Sequence, residues 1–134
     1  MAVVSAAGPV SNVLLAMIVH SITMLLTAYD VHLPPWIASP LESAVSVNIG
    51  LAAFNFIPLP PLDGYALALG VLPQRAAMAF ATIERYGPAI LMLLIFAPSM
   101  IRIDLLSYVL KPILAAVAAV VYLGSTLIAH LLIL

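Results

Sequence analysis

The decapeptide Asn55-Phe-Ile-Pro-Leu-Pro-Pro-Leu-Asp63-Gly64 divides the stretch 43–74, in which Asp63 is the only formally charged residue. Three residues of the decapeptide are prolines, namely Pro58, Pro60 and Pro61. Proline ends or kinks a helix, because it lacks a backbone N–H and its ring clashes with the preceding turn. The segment therefore predicts a helix break that is surrounded by apolar sequence and carries one carboxylate.

The composition around this break is typical of an integral membrane protein. Hydrophobic residues make up 66% of the 134-residue chain, charged residues make up 7%, and the mean hydropathy is +1.27. Soluble domains contain roughly 25% charged residues, so we expect this chain to contact membrane lipid. The net charge of -1 provides no basic patch for nucleic acid, which is excluded as a partner. Because cysteine is absent, any metal ligand must be His, Asp or Glu.

The apolar runs predict an all-α fold, in which one transmembrane domain over residues 1–134 forms a multi-span helical bundle with a Pro-broken helix. A membrane-spanning helix needs about 20 apolar residues. The predicted spans are residues 9–29, 43–57 continuing brokenly to 72, 88–101 and 112–134. The stretch Asp30–Glu42 is predicted to be a surface loop, with Trp36 at the level of the lipid headgroups.

Asp63 is the residue in this pattern that most needs an explanation. A carboxylate in an apolar membrane segment costs several kcal/mol unless it is paired, solvated, protonated or bound to a metal. One interpretation is that Asp63 caps a helix beginning near Tyr65, since Asp favours N-cap positions. The other is a functional role, because irregular backbone at membrane depth usually lines a polar cavity. The two roles are compatible.

Asn55 lies eight residues before Asp63, and the Pro-rich turn between them could bring both side chains to one cavity. As a neutral donor, Asn55 could hold a substrate carbonyl or a developing oxyanion. The alternative is that Asn55 joins neighbouring helices by hydrogen bonds, and this is the role that we expect for Asn48.

The three histidines do not form a recognisable metal pair, because no two of them are three to five residues apart. We expect His20 to pair with a polar group inside the bundle, and metal binding is the lesser alternative. His32 is predicted to lie in a loop, and His130 near the carboxyl-terminal membrane face.

Two motifs resemble those of the site-2 protease family of intramembrane zinc metalloproteases. Gly8-Pro-Val-Ser-Asn12 matches the Gly-Pro-x-x-Asn element of that family, and the segment Asn55–Gly64 matches its Asn-Pro-Leu-Asp-Gly element. Leu72-Pro73 and Glu84-Arg-Tyr-Gly-Pro88 are similar to the compact bacterial branch. The resemblance covers nearly the whole chain and implies an integral protein of a bacterial or archaeal cell membrane.

The resemblance also implies roles for individual residues. Asp63 matches the third zinc ligand, and Asn55 matches a residue near the metal that helps to place the substrate, which is itself a transmembrane protein. Gly8, Pro9 and Asn12 match a helix that lines the catalytic core. The remaining motif positions, implied to be structural, are Pro58, Pro60, Pro61 and Gly64.

The sequence departs from the family at one decisive point, because it contains no His-Glu-x-x-His. In the family that motif supplies two zinc ligands and the general base. We therefore expect this chain to be inactive alone and to form the carboxyl-terminal half of a metalloendopeptidase. An upstream segment or a partner chain would then carry His-Glu-x-x-His. The alternative is a non-catalytic pseudoprotease or membrane-helix-binding module, and a third possibility is a small transporter or channel subunit.

Overall fold

The computed structural model describes residues 2–101 and 104–133, and these residues form six α-helices and no strand. The predicted all-α fold is confirmed, since the structure is 83% helical. Met1 and Leu134, the two ends of the predicted domain, lie outside the described residues. The helices are α1 (Ala2–Ala28), α2 (Pro35–Asn55), α3 (Asp63–Val71), α4 (Gln74–Ala81), α5 (Gly87–Ile101) and α6 (Leu105–Ile133).

Three of the described helices are long and apolar enough to cross a membrane, as judged from length and composition. The qualifying segments are Val4–Ala28 in α1, the whole of α2, and Leu106–Ile133 in α6. The segment Gly87–Phe96 in α5 is apolar but shorter. Many large apolar side chains on these helices are exposed, and this is consistent with a membrane protein whose outer surface contacts lipid.

The first loop is shorter than the sequence indicated. The prediction of a loop over Asp30–Glu42 is wrong in its second half, because α2 already begins at Pro35. Proline is tolerated in the first helical turn, where its missing N–H would have no partner. Pro40 lies further inside α2, but at an exposed position, where water or headgroups can solvate the carbonyl that loses its donor. Trp36 is 75% exposed at the same end of α2.

The Pro-rich break divides the predicted span, 43–57 continuing brokenly to 72, into the end of α2 and the whole of α3. α2 has 21 residues and ends at Asn55, three positions before Pro58. The chain resumes as α3, which has only 9 residues, and then as α4, which has 8. The sequence did not predict α4 as a separate helix, although Pro73 before it ends the preceding one.

Helix α1 begins well before Pro9, although the sequence placed Pro9 at the start of the first span. The Ala-rich residues before Pro9 have high helix propensity and extend the helix toward the amino terminus. Pro9 itself is fully buried, so its ring serves as a packing group inside the helix. The motif residues Gly8 and Asn12 therefore lie one turn apart on an established helix.

The bundle core lies where α1, α2 and α6 pack together. Its buried residues are small or β-branched, which lets the helix axes approach closely. They are Ala16, Val45, Ile49, Ala52, Ala53, Val117 and Val121. Gly124 of α6 lies directly under the side chain of Met17 on α1, whose terminal methyl group would have to move to admit a Cβ atom. This three-helix core holds the amino-terminal part of α1 beside α3.

Candidate functional site

The Pro-rich turn between α2 and α3 is compact and forms its own hydrogen bonds. The backbone N–H of Phe56 bonds the carbonyl of Ala52 and thereby ends α2. Within the turn, the N–H of Leu59 donates to the carbonyl of Ile57, and the N–H of Leu62 donates to that of Leu59, both at 2.8 Å. The predicted break is therefore an ordered turn that aims the chain into α3.

Two glycines allow the turn to pack against its neighbours. A Cβ atom at Gly64 would lie 2.5 Å from the carbonyl oxygen of Phe56 and would also overlap that of Ile57. A Cβ atom at Gly87, where α5 begins, would lie 2.6 Å from the carbonyl oxygen of Pro60. Both obstacles are backbone atoms, which cannot rotate away. The turn is thus enclosed by the first turn of α3 and the start of α5.

Asp63 is the first residue of α3, and its carboxylate faces α1. Oδ2 of Asp63 lies 2.9 Å from the position that a Cβ atom would take at Gly8. Only a glycine gives the carboxylate this approach to the helix backbone. The structure thus brings together one residue from each of the two motifs that the sequence singled out.

Asp63 is not the N-cap residue of α3, as one interpretation of the sequence had it. α3 begins at Asp63 itself, and its N-cap residue is Leu62, which makes no side-chain hydrogen bond to the helix. A carboxylate in the first turn still interacts favourably with the helix dipole. Asp63 is half-buried, and its side chain makes no hydrogen bond within the described residues. The carboxylate therefore remains available to a ligand.

The structure places Asn55 and Asn48 differently. Asn55 is the last residue of α2 and is half-buried at the entrance to the turn, so its predicted role in placing a substrate stays a prediction. The expectation for Asn48 is wrong, because its Nδ2 donates to the carbonyl of Ala44 in the same helix at 2.8 Å. A side-chain amide can donate to a backbone carbonyl one turn earlier in its own helix, so the Asn48 Nδ2 needs no acceptor on a neighbouring helix.

The other motif residues lie close to this site. Asn12 is half-buried on the same face of α1 as Gly8. Pro60 is buried under Gly87, whereas Pro58 and Pro61 are exposed. Their assignment as structural motif positions stays a prediction.

The histidines lie away from Asp63. His20 makes an edge-to-face contact with Tyr122 of α6, with ring centroids 5.0 Å apart and an interplanar angle of 73°. The ring also lines a cavity of about 480 Å³ near the loop before α2, together with Thr23 and Glu42. His32 is in that loop, where its Nδ1 is 3.1 Å from the carbonyl of Asp30. His130 is exposed near the end of α6.

The residues present do not complete a zinc site. Among residues 2–101 and 104–133, no group of three or more His, Cys, Asp or Glu side chains could hold a metal ion. A catalytic zinc takes three protein ligands and keeps one open position. Even with Asp63 counted as one ligand, the described residues would lack the other two that such a site requires.

Sequence reasoning missed the residues on the far side of α3. The Tyr65 side chain is buried there against Phe80 of α4, with ring centroids 5.3 Å apart. Its Oη donates a hydrogen bond to Oε2 of Glu84 at 3.4 Å. The segment containing Glu84 was recognised only as a sequence motif. No signal in the sequence indicates this contact, because the two residues are 19 positions apart.

The fold and the site define a membrane-type helical protein with one carboxylate at a Pro-rich turn. The chain is similar to a protein of Bacillus subtilis (strain 168) that bears the name "Putative zinc metalloprotease YwhC", with 36% identity over 117 residues. The similar region covers 84% of this chain and 51% of the relative, so the chain spans about half of the relative's length. No protein-family profile matches the chain, and no solved structure matches it. The similarity suggests a metalloprotease family, and the relative's name refers to zinc.

Proposed function

We propose that this chain is the carboxyl-terminal half of a zinc-dependent intramembrane metalloendopeptidase of the site-2 protease family, with Asp63 as the third zinc ligand. The observation that carries the proposal is the approach of Asp63 Oδ2 to Gly8. Residues from the two motifs that resemble the family meet there, although 55 positions separate them in the sequence (63 minus 8).

The environment of Asp63 supports this role. Zinc binds carboxylate oxygens, so the Asp63 side chain is of the right chemical type to supply one ligand. The Asp63 side chain is half-buried and has no hydrogen-bond partner within the described residues. An intramembrane carboxylate without a protein partner is costly, and a metal ion is one of the few groups that offsets the cost.

Polar residues at the two ends of the turn, Asn55 and Asp63, support a transmembrane protein as substrate. Asn55 stands at the entrance to the turn, where it could hold a substrate carbonyl. A peptide bond can be reached only when its helix has unwound, because an intact helix satisfies its backbone internally. The polar side chains of Asn55 and Asp63 would provide hydrogen-bond partners for the backbone groups that such an unwound segment exposes.

The test is to reconstitute the chain with a membrane segment that carries His-Glu-x-x-His, taken from the coding sequence before Met1 or from a co-expressed chain. We expect zinc-dependent cleavage of a transmembrane reporter, which a chelator removes and added zinc restores. Asp63→Asn should lower cleavage more than about 100-fold, since even outer-shell changes cost 10- to 100-fold.

The matched control is Asp104→Asn, the same change at an exposed carboxylate between α5 and α6. Cleavage by this variant should equal that of the unaltered protein. Full cleavage by Asp63→Asn would refute the proposal.

A further inference from the structure

Helix α3 presents two side chains to two different neighbours. Asp63 and Tyr65 are two residues apart, so they project roughly 200° apart around the helix axis at 3.6 residues per turn. Asp63 faces Gly8 on α1, whereas Tyr65 faces Phe80 on α4 and Glu84 in the segment that follows. Any rotation of α3 about its axis therefore changes both contacts together.

Helix α3 is short and is held between α1 on one face and α4 on the other. It contains 9 residues, which is too short to be stable in isolation, and Leu62 provides no side-chain cap. At its amino-terminal end, Gly64 packs against the backbone of the turn and limits translation along the helix. Rotation is limited by the side chains on its two faces, and on the α4 side Tyr65 packs on Phe80 and hydrogen-bonds to Glu84.

The Tyr65 contacts are specific in direction. The ring is 8% exposed and packs on Phe80 with an interplanar angle of 34°. The hydroxyl then reaches Oε2 of Glu84 at 3.4 Å, with no other described partner. Ring packing alone would allow the side chain to slide, whereas the hydrogen bond draws the hydroxyl toward Glu84, at a distance longer than the roughly 2.5–3.0 Å of a short O–H···O bond.

We propose that Tyr65 and Glu84 are a positioning pair whose hydrogen bond sets the rotation of α3 and so directs the Asp63 carboxylate toward Gly8 on α1. This assignment rests on the proposed function of Asp63. Neither residue touches the substrate in this account. Glu84 acts through Tyr65, and Tyr65 acts through the helix that it shares with Asp63.

The rotation of α3 can be measured without zinc or proteolysis, because the chain contains no cysteine. In the double variant Gly8→Cys/Asp63→Cys, the introduced sulfur at position 63 takes the place of Cγ, which lies 3.9 Å from a Cβ at position 8. Mild oxidation should close this disulfide rapidly. Adding Tyr65→Phe or Glu84→Ala should slow closure roughly twofold to tenfold, the range expected for one hydrogen bond.

A second disulfide reports on the rest of the bundle. In Met17→Cys/Gly124→Cys, the new sulfur takes the place of Met17 Cγ, which lies 3.8 Å from a Cβ at position 124. This pair joins α1 to α6 and is matched in distance to the first pair. Its closure should be unchanged by Tyr65→Phe and by Glu84→Ala.

Glu84→Gln keeps an oxygen that can accept the Tyr65 hydroxyl, so it should restore fast closure of the 8–63 disulfide. Combining Tyr65→Phe with Glu84→Ala should slow closure no more than either change alone. Unchanged closure of 8–63 in both single variants would overturn the proposal, and so would equal slowing of both disulfides.

This experiment separates the two proposals. If Asp63→Asn leaves proteolysis intact, the proposed function fails while the disulfide rates still report the rotation of α3. If proteolysis depends on Asp63 but Tyr65→Phe and Glu84→Ala change neither the 8–63 rate nor cleavage, the function stands and the positioning pair fails.

Discussion

Asp63 and Gly8 meet so closely that Oδ2 of the carboxylate lies 2.9 Å from where a Cβ atom at position 8 would be. The contact joins the first residue of α3 to the amino-terminal part of α1. A carboxylate can approach a helix backbone in this way only where the side chain is a hydrogen atom. The geometry explains why a glycine at this point of α1 belongs to the same site as the carboxylate.

We predict that Gly8→Ala impairs the site and spares the fold. The new methyl group would meet the mobile end of the Asp63 side chain, which can rotate away at little cost. Alanine in place of glycine inside a helix also gains about 0.5–1 kcal/mol. In the reconstituted protease, zinc-dependent cleavage should fall about tenfold, as for other changes that misorient a metal ligand. Thermal unfolding in detergent should show no loss of stability.

The control for this change is Gly50→Ala in α2, where a Cβ atom would meet nothing within 4 Å. This variant should cleave as well as the unaltered protein. Equal cleavage by Gly8→Ala and Gly50→Ala would show that the approach of Asp63 to α1 has no bearing on activity.

Gly64→Ala should destabilise the fold, in contrast to Gly8→Ala, which should leave the stability unchanged. Its Cβ atom would lie 2.5 Å from the carbonyl oxygen and 2.6 Å from the carbonyl carbon of Phe56. Because these are backbone atoms in a hydrogen-bonded turn, α3 would have to move away from α2. Overpacking of this kind costs about 1–3 kcal/mol, which a denaturant titration of the detergent-solubilised chain can measure. A free energy of unfolding equal to that of Gly50→Ala would contradict the packing described here.

The stability of the first turn of α6 should depend on pH, because Asp104 accepts hydrogen bonds there. The hydroxyl and the backbone N–H of Ser107 both donate to this carboxylate and hold the pKa of Asp104 below its ordinary value of 3.8, with a smaller contribution from Lys111. A depressed pKa means that the stabilisation is present above the ordinary value and is lost as pH falls through the folded-state value. The protection of the Ser107 amide against hydrogen exchange, corrected for the intrinsic pH dependence of exchange, should decrease as pH falls below about 4.

Asp104→Asn is the informative comparison, because asparagine caps a helix but does not titrate. Its corrected protection at Ser107 should stay level across the same range. A parallel loss of protection in both proteins would mean that the carboxylate of Asp104 is not the cause.

The sequence was sufficient to predict the features that depend on composition and on single residues. Apolar runs predicted an all-helical fold, and the prolines of the 55–64 segment predicted the break after α2. The motif comparison selected Gly8 and Asp63, and the structure brings these two residues into contact. Such features are local, because three prolines within four residues remove neighbouring backbone N–H groups that a helix needs.

The features that the sequence did not predict depend on tertiary contacts or on competition between local forces. Asn48 could bond a neighbouring helix or its own, and only the fold decides between them. The start of α2 at Pro35 requires that Pro40 be tolerated inside an exposed helix end. The partnership of Tyr65 with Glu84 joins residues 19 positions apart, and nothing in their spacing indicates it.

The most direct test of the central claim is the zinc content of the purified protein, measured by atomic emission. The chain alone should retain no zinc after dialysis, because in the proposed function Asp63 would supply one ligand where a catalytic site needs three. Reconstituted with a segment bearing His-Glu-x-x-His, it should hold one zinc per complex. Asp63→Ala should lower the zinc affinity of that complex more than about tenfold, while Asp104→Ala leaves it unchanged. Tight zinc in the isolated chain, or equal affinity in the Asp63→Ala complex, would contradict the account.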